Sequence, residues 1–382
     1  MTTRFRITRI DRYLFRQLLL SLIAVTGGLA LLIWLTQSLR FVELVVNRGL
    51  SFGVFIQLTS LLTPSFIAVI LPITTFIVVQ FIYQRLSGDR EITVMRAAGI
   101  SPIGLARPAL AVAGLAVVTG YLLNLWLVPA SLSRFREFQW EIRNRIVAFL
   151  LQDGVFTSVN DDLTVYVRLR EPDGTLRGIM VDDRRQRSAH AMILAESGRI
   201  LEGPAGPRAQ LMNGTRQEID RATGRLNILA FGENVIELSQ TARAEAARAR
   251  DMSEVSLSDL LDPPPGMAPA RDLPRWRVEA HKRLATPLTA VSYALVALVA
   301  VLTGTFRRHG GLIRPALGVA AVVLLLATGL TLGNLAARNL ALVPLLWVHA
   351  LVPGAIAAWW LFGPWSNVLH GRAPGPATNA IT

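Results

Sequence analysis

The sequence contains no cysteine and a single lysine, Lys282, and both scarcities limit what the protein can do. Without cysteine there is no disulfide and no thiolate metal site, so a domain outside the cytoplasm must be held by its own core or by a partner. Lys282 follows His281 rather than glycine, which excludes a phosphate-binding P-loop in this chain. Any work driven by nucleotide hydrolysis therefore requires another subunit.

Motifs for catalysis and metal binding are missing as well. The sequence has no Gly-x-Ser-x-Gly elbow and no His-Glu-x-x-His motif, and its five histidines are scattered. Ionisable residues are nearly absent from the long apolar segments, which disfavours an ion-coupled carrier with an intramembrane proton relay. The chain is therefore predicted to be a non-catalytic subunit without a metal or cofactor.

The rest of the composition is typical of a protein that crosses a membrane several times. Hydrophobic residues make up 52% of the 382 residues, and the mean hydropathy is +0.43. About 20 apolar residues are needed to cross a hydrocarbon core of about 30 Å. Six segments meet this criterion: 18–36, 55–83, 105–128, 284–306, 312–336 and 340–362. The first is predicted to be a retained helix, because its apolar run is longer than the core of a signal peptide.

The net charge of +13 is unevenly distributed along the chain. Residues 131–283 carry 23 basic and 22 acidic side chains, and the other 16 basic and 4 acidic residues flank the apolar segments. If the N-terminus is cytoplasmic, 13 of those 16 basic residues fall on the cytoplasmic side, which is the bias that orients membrane proteins. Both termini are therefore predicted to be cytoplasmic. Since topology accounts for the positive charge, no nucleic-acid partner is predicted.

The block between the third and fourth segments has the pattern of β-strands. Strands are predicted at 156–159, 163–170, 176–183, 189–201, 209–220 and 226–238, separated by turn-forming residues. Six short strands at this spacing indicate an all-β sandwich or jelly roll. A helix at 241–250 and a proline-rich linker at 263–274 are predicted to follow.

The predicted fold class is therefore an α+β membrane protein, with six transmembrane helices and a β-jelly-roll-like domain inserted between helices 3 and 4. Its predicted parts are residues 1–130, 131–275 and 276–382.

Residues 85–101 form a charged amphipathic segment in the short loop between the second and third apolar segments. A helix is predicted at about 87–100, with Asp89 and Glu91 favoured at its N-terminus by the helix dipole and Gly99 near its end. This helix either lies passively on the membrane surface or docks into a groove of a cytosolic ATPase, with its apolar stripe as the docking face. In the docking interpretation the coupling residues are Asp89, Arg90, Glu91, Ile92, Met95 and Arg96.

The same loop resembles a known family. Ile-Leu-Pro-Ile-Thr at 70–74 and the loop at 85–101 are similar to the LptF/LptG permeases of lipopolysaccharide export, and Glu-Ile-Thr-Val-Met at 91–95 is closer to LptF. The resemblance extends through Asp-Arg-Tyr at 11–13, Leu-Gln-Asp-Gly-Val-Phe at 151–156, Asn-Gly-Thr-Arg at 213–216 and Glu-Ala-His-Lys-Arg-Leu-Ala-Thr-Pro-Leu at 279–288. Their order and spacing cover nearly the whole chain. Arg90 directly before Glu91 departs from the family pattern.

The resemblance implies a permease subunit of an ABC transporter in the bacterial inner membrane. Such a subunit pairs with an LptG-like permease above an LptB ATPase dimer and extracts lipopolysaccharide from the membrane. Its periplasmic jelly roll passes the lipid to LptC and the transenvelope bridge. Glu91 matches the coupling residue of the family, and the first and fifth helices would line a lateral opening.

Lipopolysaccharide carries acidic phosphates and several acyl chains, so its site needs positive charge at the outer rim of the membrane. The candidate phosphate ligands are Arg40, Arg48, Arg136, Lys282 and Arg283. Each is alternatively an interfacial side chain whose charged end reaches back to water. The inward residues of the β block form either an acyl-chain groove or an ordinary core, and they are Val165, Val167, Leu169, Ile193 and Ile228.

Two other classes of protein share some of these features. A membrane-anchored envelope receptor or scaffold also has a β domain on helices, but it does not need a helix in the 85–101 loop. A membrane enzyme acting on lipid or glycan needs converging acid, base or metal residues. The nearest pair is Glu279 with His281, which has no third member in the sequence.

Overall fold

The computed structural model describes residues 8–48, 52–149, 153–160, 162–185, 189–203, 206–220, 224–237, 251–303 and 313–363. At 40–48, 140–149 and several strand ends it describes the backbone alone. The predicted helix at 241–250 lies outside the described residues.

The described residues form eleven α-helices. They are α1 Arg9–Arg48, α2 Phe52–Ser60, α3 Thr63–Gly88, α4 Glu91–Ala97, α5 Pro102–Leu122, α6 Val128–Phe149, α7 Leu257–Leu261, α8 Leu273–Ala285, α9 Thr289–Leu302, α10 Ile313–Ala336 and α11 Val343–Phe362. A π-helical turn, Leu123–Leu127, joins α5 to α6, and short 3₁₀ turns precede α9 and α11.

Six helical stretches of the described chain are long and apolar enough to cross a membrane, which confirms the six predicted segments. These spans, numbered one to six, are Arg9–Leu39, Phe52–Gly88, Pro102–Gln139, Leu273–Leu302, Ile313–Ala336 and Leu340–Phe362.

By their internal contacts the residues form two compact units. The first comprises Met1–Phe41, Thr59–Ser133 and Arg250–Thr382, and the second comprises Val42–Leu58 and Arg134–Ala249. In the first unit, spans two and four are central, with 56% of each apolar window buried, whereas the figure for span five is 11%. A buried hydrogen bond of 2.8 Å between the hydroxyls of Thr26 and Thr74 joins α1 to α3. Such bonds are a common means of helix association in lipid.

The second unit contains one six-stranded antiparallel sheet with its strands in sequence order, β1 to β6. The strands are β1 Phe156–Asn160, β2 Leu163–Arg170, β3 Leu176–Asp183, β4 Ala189–Gly203, β5 Gly206–Asp220 and β6 Leu226–Glu237. All six predicted strands are confirmed, and so is the α+β class. A turn at 171–175 joins β2 to β3, and Gly174 adopts there a left-handed conformation with φ 85°.

A single row of residues interrupts the pairing across five strands of this sheet. The row consists of Arg168, Gly178, Glu196, Asn213 and Gly232, and the register continues unchanged on both sides of it. Gly178 and Asn213 have positive φ angles of 62° and 52°. Glycine and asparagine tolerate this left-handed conformation better than other residues do. The row therefore marks a line along which the sheet bends.

The bend allows the sheet to enclose its own apolar core. Every member of the core cluster of this unit is a strand residue of β2 to β6. Val165, Val167 and Ile193 are buried in it, whereas Leu169 and Ile228 are exposed. The first three of the five predicted inward residues are thus core, and the prediction of an inward position is wrong for Leu169 and Ile228, because these two lie on outward-facing positions of their strands.

A charged clamp closes the ends of two strands that are not neighbours in the sheet. Arg185, just after β3, forms two bonds to the carboxylate of Asp183, with Nε 2.8 Å from Oδ1 and Nη2 2.6 Å from Oδ2. Its Nη1 donates to the carbonyl of Glu237, the last residue of β6, at 2.8 Å. Burial raises the pKa of Asp183, but the hydrogen bonds and charge of Arg185 outweigh it, so the pKa lies below its ordinary value.

We expect this clamp to make the β domain sensitive to acid. A carboxyl group with a depressed pKa stabilises the fold above its unfolded pKa of about 3.9, and this stabilisation is lost as the pH falls through the folded pKa. Asp183→Asn should lower the free energy of unfolding at pH 7 by about 1–2 kcal/mol and flatten the loss of stability below about pH 4. Hydrogen exchange of the β6 amides between pH 3 and 7 measures both effects. Identical acid profiles for the variant and the natural protein would contradict the prediction.

Candidate functional site

The loop between spans two and three contains a short helix, α4, that begins and ends at tight turns. α3 continues to Gly88, and Arg90 then adopts a left-handed conformation with φ 60° that starts α4 in a new direction. The helix predicted at about 87–100 is therefore shorter, at Glu91–Ala97, because the turn of Asp89 and Arg90 separates it from span two. Asp89 lies 3.7 Å from Arg85 at the end of α3.

The C-terminal end of α4 is fixed by a Schellman motif. The amide of Ile100 donates to the carbonyl of Met95, and the amide of Gly99 donates to the carbonyl of Arg96. Gly99 has φ 88°, the left-handed conformation that this motif requires. Ser101 then caps α5, since its hydroxyl accepts a hydrogen bond of 3.2 Å from the amide of Gly104. α4 is thus held at both ends.

The structure turns the predicted apolar stripe of α4 inward. Ile92 is 5% exposed and belongs to the core of the helical bundle, with Met95 and Ile100 packed against it. Arg96 is half-buried, and its Nη2 donates to the carbonyl of Leu302 at 2.6 Å. Burial lowers the pKa of Arg96 from its ordinary value, although arginine stays charged. The prediction that Ile92 faces a partner is therefore wrong, because the bundle itself covers it, whereas Ala98 and Gly99 at the end of the predicted stripe are exposed.

The outward face of α4 consists of other residues. Asp89, Arg90 and Glu91 are exposed, so three of the six predicted coupling residues face away from the bundle. Val94 is 66% exposed, and the small residues Ala97 and Ala98 lie beside it. Sequence reasoning missed Val94, since its helical spacing from Glu91 is visible in the sequence but the direction of the buried stripe is not. The exposed face of α4 is thus a small apolar patch of Val94, Ala97 and Ala98 next to the carboxylate of Glu91.

The predicted phosphate ligands differ in their surroundings. The side chains of Arg40 and Arg48, near the end of α1, lie outside the described residues, and Arg136 lies on α6, partly buried. Lys282 is about half exposed and lies 3.8 Å from Glu279. Arg283 is 5% exposed and donates to the carbonyls of Val255 and Met252 at 2.8 and 2.7 Å.

These bonds give Arg283 a structural role. It anchors the segment before α8, where Val255 and Leu260 pack on Trp276 and Ala280 in a small separate core. The predicted linker at 263–274 belongs to this packed region, and Leu273 and Pro274 already lie in α8. Glu279 is engaged with Lys282 and Arg283, and the ring of His281 meets the edge of Trp347 at 6.5 Å. Glu279 is thus engaged in ion pairs and His281 in a ring contact, so this pair, the nearest candidate for a catalytic site, has structural contacts of its own.

A second exposed surface lies along β6. This strand pairs with β5, and no other described strand pairs with its far side. Its sequence contains neither proline nor a basic residue, the features that usually protect an edge strand from pairing. Leu226, Ile228, Leu229 and Val235 are exposed along it. Such an edge is suited to the addition of a strand from another chain.

The fold and these surfaces define a protein that crosses a membrane six times, carries a β domain between its third and fourth spans, and presents a fixed helix between its second and third. The sequence matches the family of lipopolysaccharide export system permeases LptF/LptG over residues 12–362. The chain belongs to this family, which confirms the resemblance and makes it a multi-pass protein of the inner membrane.

Individual relatives are distant. An uncharacterized protein of Rickettsia prowazekii is 26% identical over 332 residues, covering 86% of this chain and 91% of that protein. The lipopolysaccharide export system permease protein LptF of Escherichia coli (strain K12) is 24% identical over 212 residues, covering 55% of this chain and 58% of that protein. The LptF of Shigella flexneri matches to the same extent.

Proposed function

We propose that the chain is the permease subunit of an ABC transporter that extracts lipopolysaccharide from the inner membrane and passes it through its β domain to the transenvelope bridge. The subunit itself is non-catalytic, and a separate cytosolic ATPase hydrolyses ATP. The observation that carries the proposal is the geometry of α4, a short helix held at both ends against the bundle with Glu91 and Val94 facing outward.

The proposed orientation places α4 and both termini in the cytoplasm and the β domain in the periplasm. Arg85, Arg90, Arg107 and Arg314 lie at the ends of spans two, three and five on the α4 side. This is the positive charge expected for cytoplasmic loops. An ATPase below the bundle then meets the outward face of α4 directly.

The proposed docking contact combines packing with charge. Val94 inserts between nucleotide-binding subunits of an LptB-like ATPase dimer, and the carboxylate of Glu91 pairs with a basic residue of that groove. Val94 supplies apolar area that is costly to leave in water. Because α4 is short and fixed at both ends, a displacement of the ATPase moves it as a rigid body.

The proposed membrane partner is an LptG-like permease subunit. Span five buries 11% of its apolar window, and spans one and six bury 22% each. The faces of spans one and five are thus available for a second bundle and for the acyl chains of the lipid between the two. The outer-rim ligands in this proposal are Arg40, Arg48, Arg136 and Lys282, and Arg283 is reserved for its structural role.

The β domain is proposed to hand the lipid to a β domain of an LptC-like protein. The exposed edge of β6 supports this step, because a partner strand there extends the sheet and makes a continuous apolar surface. Acyl chains moving along such a surface stay out of water between the membrane and the bridge.

Glu91→Arg and Val94→Asp test the ATPase contact. We expect both variants, in the chain co-expressed with its permease and ATPase partners, to reduce the ATPase recovered with the complex by at least about tenfold. Glu91→Arg reverses the charge at the proposed ion pair, and Val94→Asp places a charge in the apolar part of the contact. Thr93→Ser, on the same exposed turn, should leave recovery unchanged and serves as the control.

Full recovery of an active ATPase complex with both charge variants would refute the docking interpretation. A natural chain that binds no ATPase at all would instead favour the alternative, a membrane-anchored envelope receptor or scaffold without transport activity.

A further inference from the structure

Arg96 joins α4 to the end of a distant span. Its Nη2 donates to the carbonyl of Leu302, the last residue of α9, at 2.6 Å. The final carbonyls of a helix have no partner within the helix, and a cation is favoured there by the helix dipole. Leu302 is 1% exposed, so this bond lies in the packed base of the bundle. A charged hydrogen bond thus connects residues that are far apart in sequence.

The end of α9 is part of a larger polar junction. Arg314, in the first turn of α10, donates from Nη1 to the carbonyl of Thr303 at 2.9 Å. Gln80 of α3 donates from Nε2 to the carbonyl of Pro315 in α10 at 2.8 Å. Gly318 makes room for this amide, because a Cβ there would lie 2.9 Å from the Oε1 of Gln80. The junction therefore links α4, α9, α10 and α3 through side chain-to-carbonyl bonds.

We propose that Arg96 is a positioning residue that transmits displacement of the ATPase-docked helix α4 to the end of span four, and through the junction to span five. This inference rests on the proposed function. It changes the role of Arg96 from a contact with the ATPase to a strut, that is, a hydrogen-bonded link between α4 and the end of α9 that transmits movement inside the permease. α9 is a suitable receiver, since Ala294, Ala297 and Leu298 are fully buried and a packed core moves as a unit.

Span five is the part of the bundle that such a movement repositions. α10 buries little of its surface, and Leu317, Leu324 and Leu330 are exposed along it. Its lower end is held by Gln80 and Arg314, whereas Ile92 and Met95 give α4 only apolar packing against the bundle. Apolar packing has no preferred direction, whereas the bond of Arg96 is a directional link between α4 and a particular helix end.

Three variants test the strut. Arg96→Met keeps the aliphatic stem and removes the donor, Arg96→Lys keeps a donor and the charge, and Arg338→Met removes an exposed cation beyond the other end of α10, outside the junction. Each is co-expressed with the permease and ATPase partners and reconstituted in proteoliposomes containing lipopolysaccharide. ATP hydrolysis and lipid released per ATP are measured.

We expect Arg96→Met to hydrolyse ATP within about twofold of the natural complex while releasing about tenfold less lipid per ATP, the size expected for loss of one charged hydrogen bond. Arg96→Lys should restore most of the release, and Arg338→Met should stay within about twofold of the natural ratio. Equal losses for Arg96→Met and Arg338→Met, or no loss for Arg96→Met, would overturn the strut. A natural complex without ATP-driven release would overturn the proposed function, and the strut with it.

Hydrogen exchange of the natural complex provides a test that needs no variant, should Arg96→Met fail to assemble. Binding of a non-hydrolysable nucleotide to the ATPase is expected to change exchange of the amides at 299–303 by at least about threefold, because α4 then shifts the end of α9. Exchange there that does not respond to nucleotide would rule the strut out.

Discussion

Gly214→Val is expected to unfold the second half of the sheet. Gly214 lies in β5 beside the bend row, and a Cβ there would approach the carbonyl oxygen of Leu194 to 2.3 Å and the ring of Phe231 to 2.6 Å. The carbonyl belongs to the neighbouring strand β4, so the side chain has no flexible group to displace. We expect a loss of at least about 3 kcal/mol in the free energy of unfolding of the sheet.

Hydrogen exchange of residues 206–237 in the full chain measures this loss. Gly232→Ala is the matched control, since Gly232 lies on the same bend row in β6 and a Cβ there meets no atom within 4 Å. We expect the control to stay within about 0.5 kcal/mol of the natural protein. Equal stability of the two variants would mean that the close approach of β4 and β5 at Gly214 is not required.

Arg283→Met is expected to release the segment before span four. The guanidinium of Arg283 binds the carbonyls of Met252 and Val255, and its Nε lies 3.6 Å from a carboxylate oxygen of Glu279. Its removal leaves two carbonyls without their donor and takes from the partly buried carboxylate of Glu279 the nearer of its two cations, a loss of about 3 kcal/mol. Local opening of residues 251–261 should therefore increase about 100-fold, and limited proteolysis should detect it.

Lys282→Met is the control for this experiment. Lys282 pairs with the same Glu279 at 3.8 Å, but its side chain is 53% exposed, and an exposed pair contributes at most about 1 kcal/mol. We expect proteolysis of 251–261 to change less than about fivefold in Lys282→Met. A similar effect for both variants would indicate that overall charge, and not the two buried hydrogen bonds, holds the segment.

The loop at 85–101 shows what a sequence pattern can and cannot predict. Its acidic start, apolar stripe and terminal glycine predict a short helix, because these features act within a few residues of one another. The pattern contains two apolar positions, Ile92 and Val94, on different sides of α4. Which side the bundle covers depends on α9 and the core, so the outward position of Val94 was not predictable from the loop alone.

For Arg283, too, the sequence predicts the local setting but not the partners. Its position at the start of an apolar segment predicts an interfacial arginine, and a phosphate ligand is a natural interpretation for such a residue. Its actual partners, Met252 and Val255, lie in the short segment before the prolines at 263–265. The sequence offers no local signal that this stretch folds back on α8.

The sequence by itself determined the six spans, the six strands and the family. These follow from apolar length, alternation and motif order, all of which are properties of segments. Only the tertiary structure decided which face of α4 is free, which arginines are already bonded, and where the sheet bends. Those features arise from carbonyls and side chains that are distant in sequence and meet only when the chain has packed.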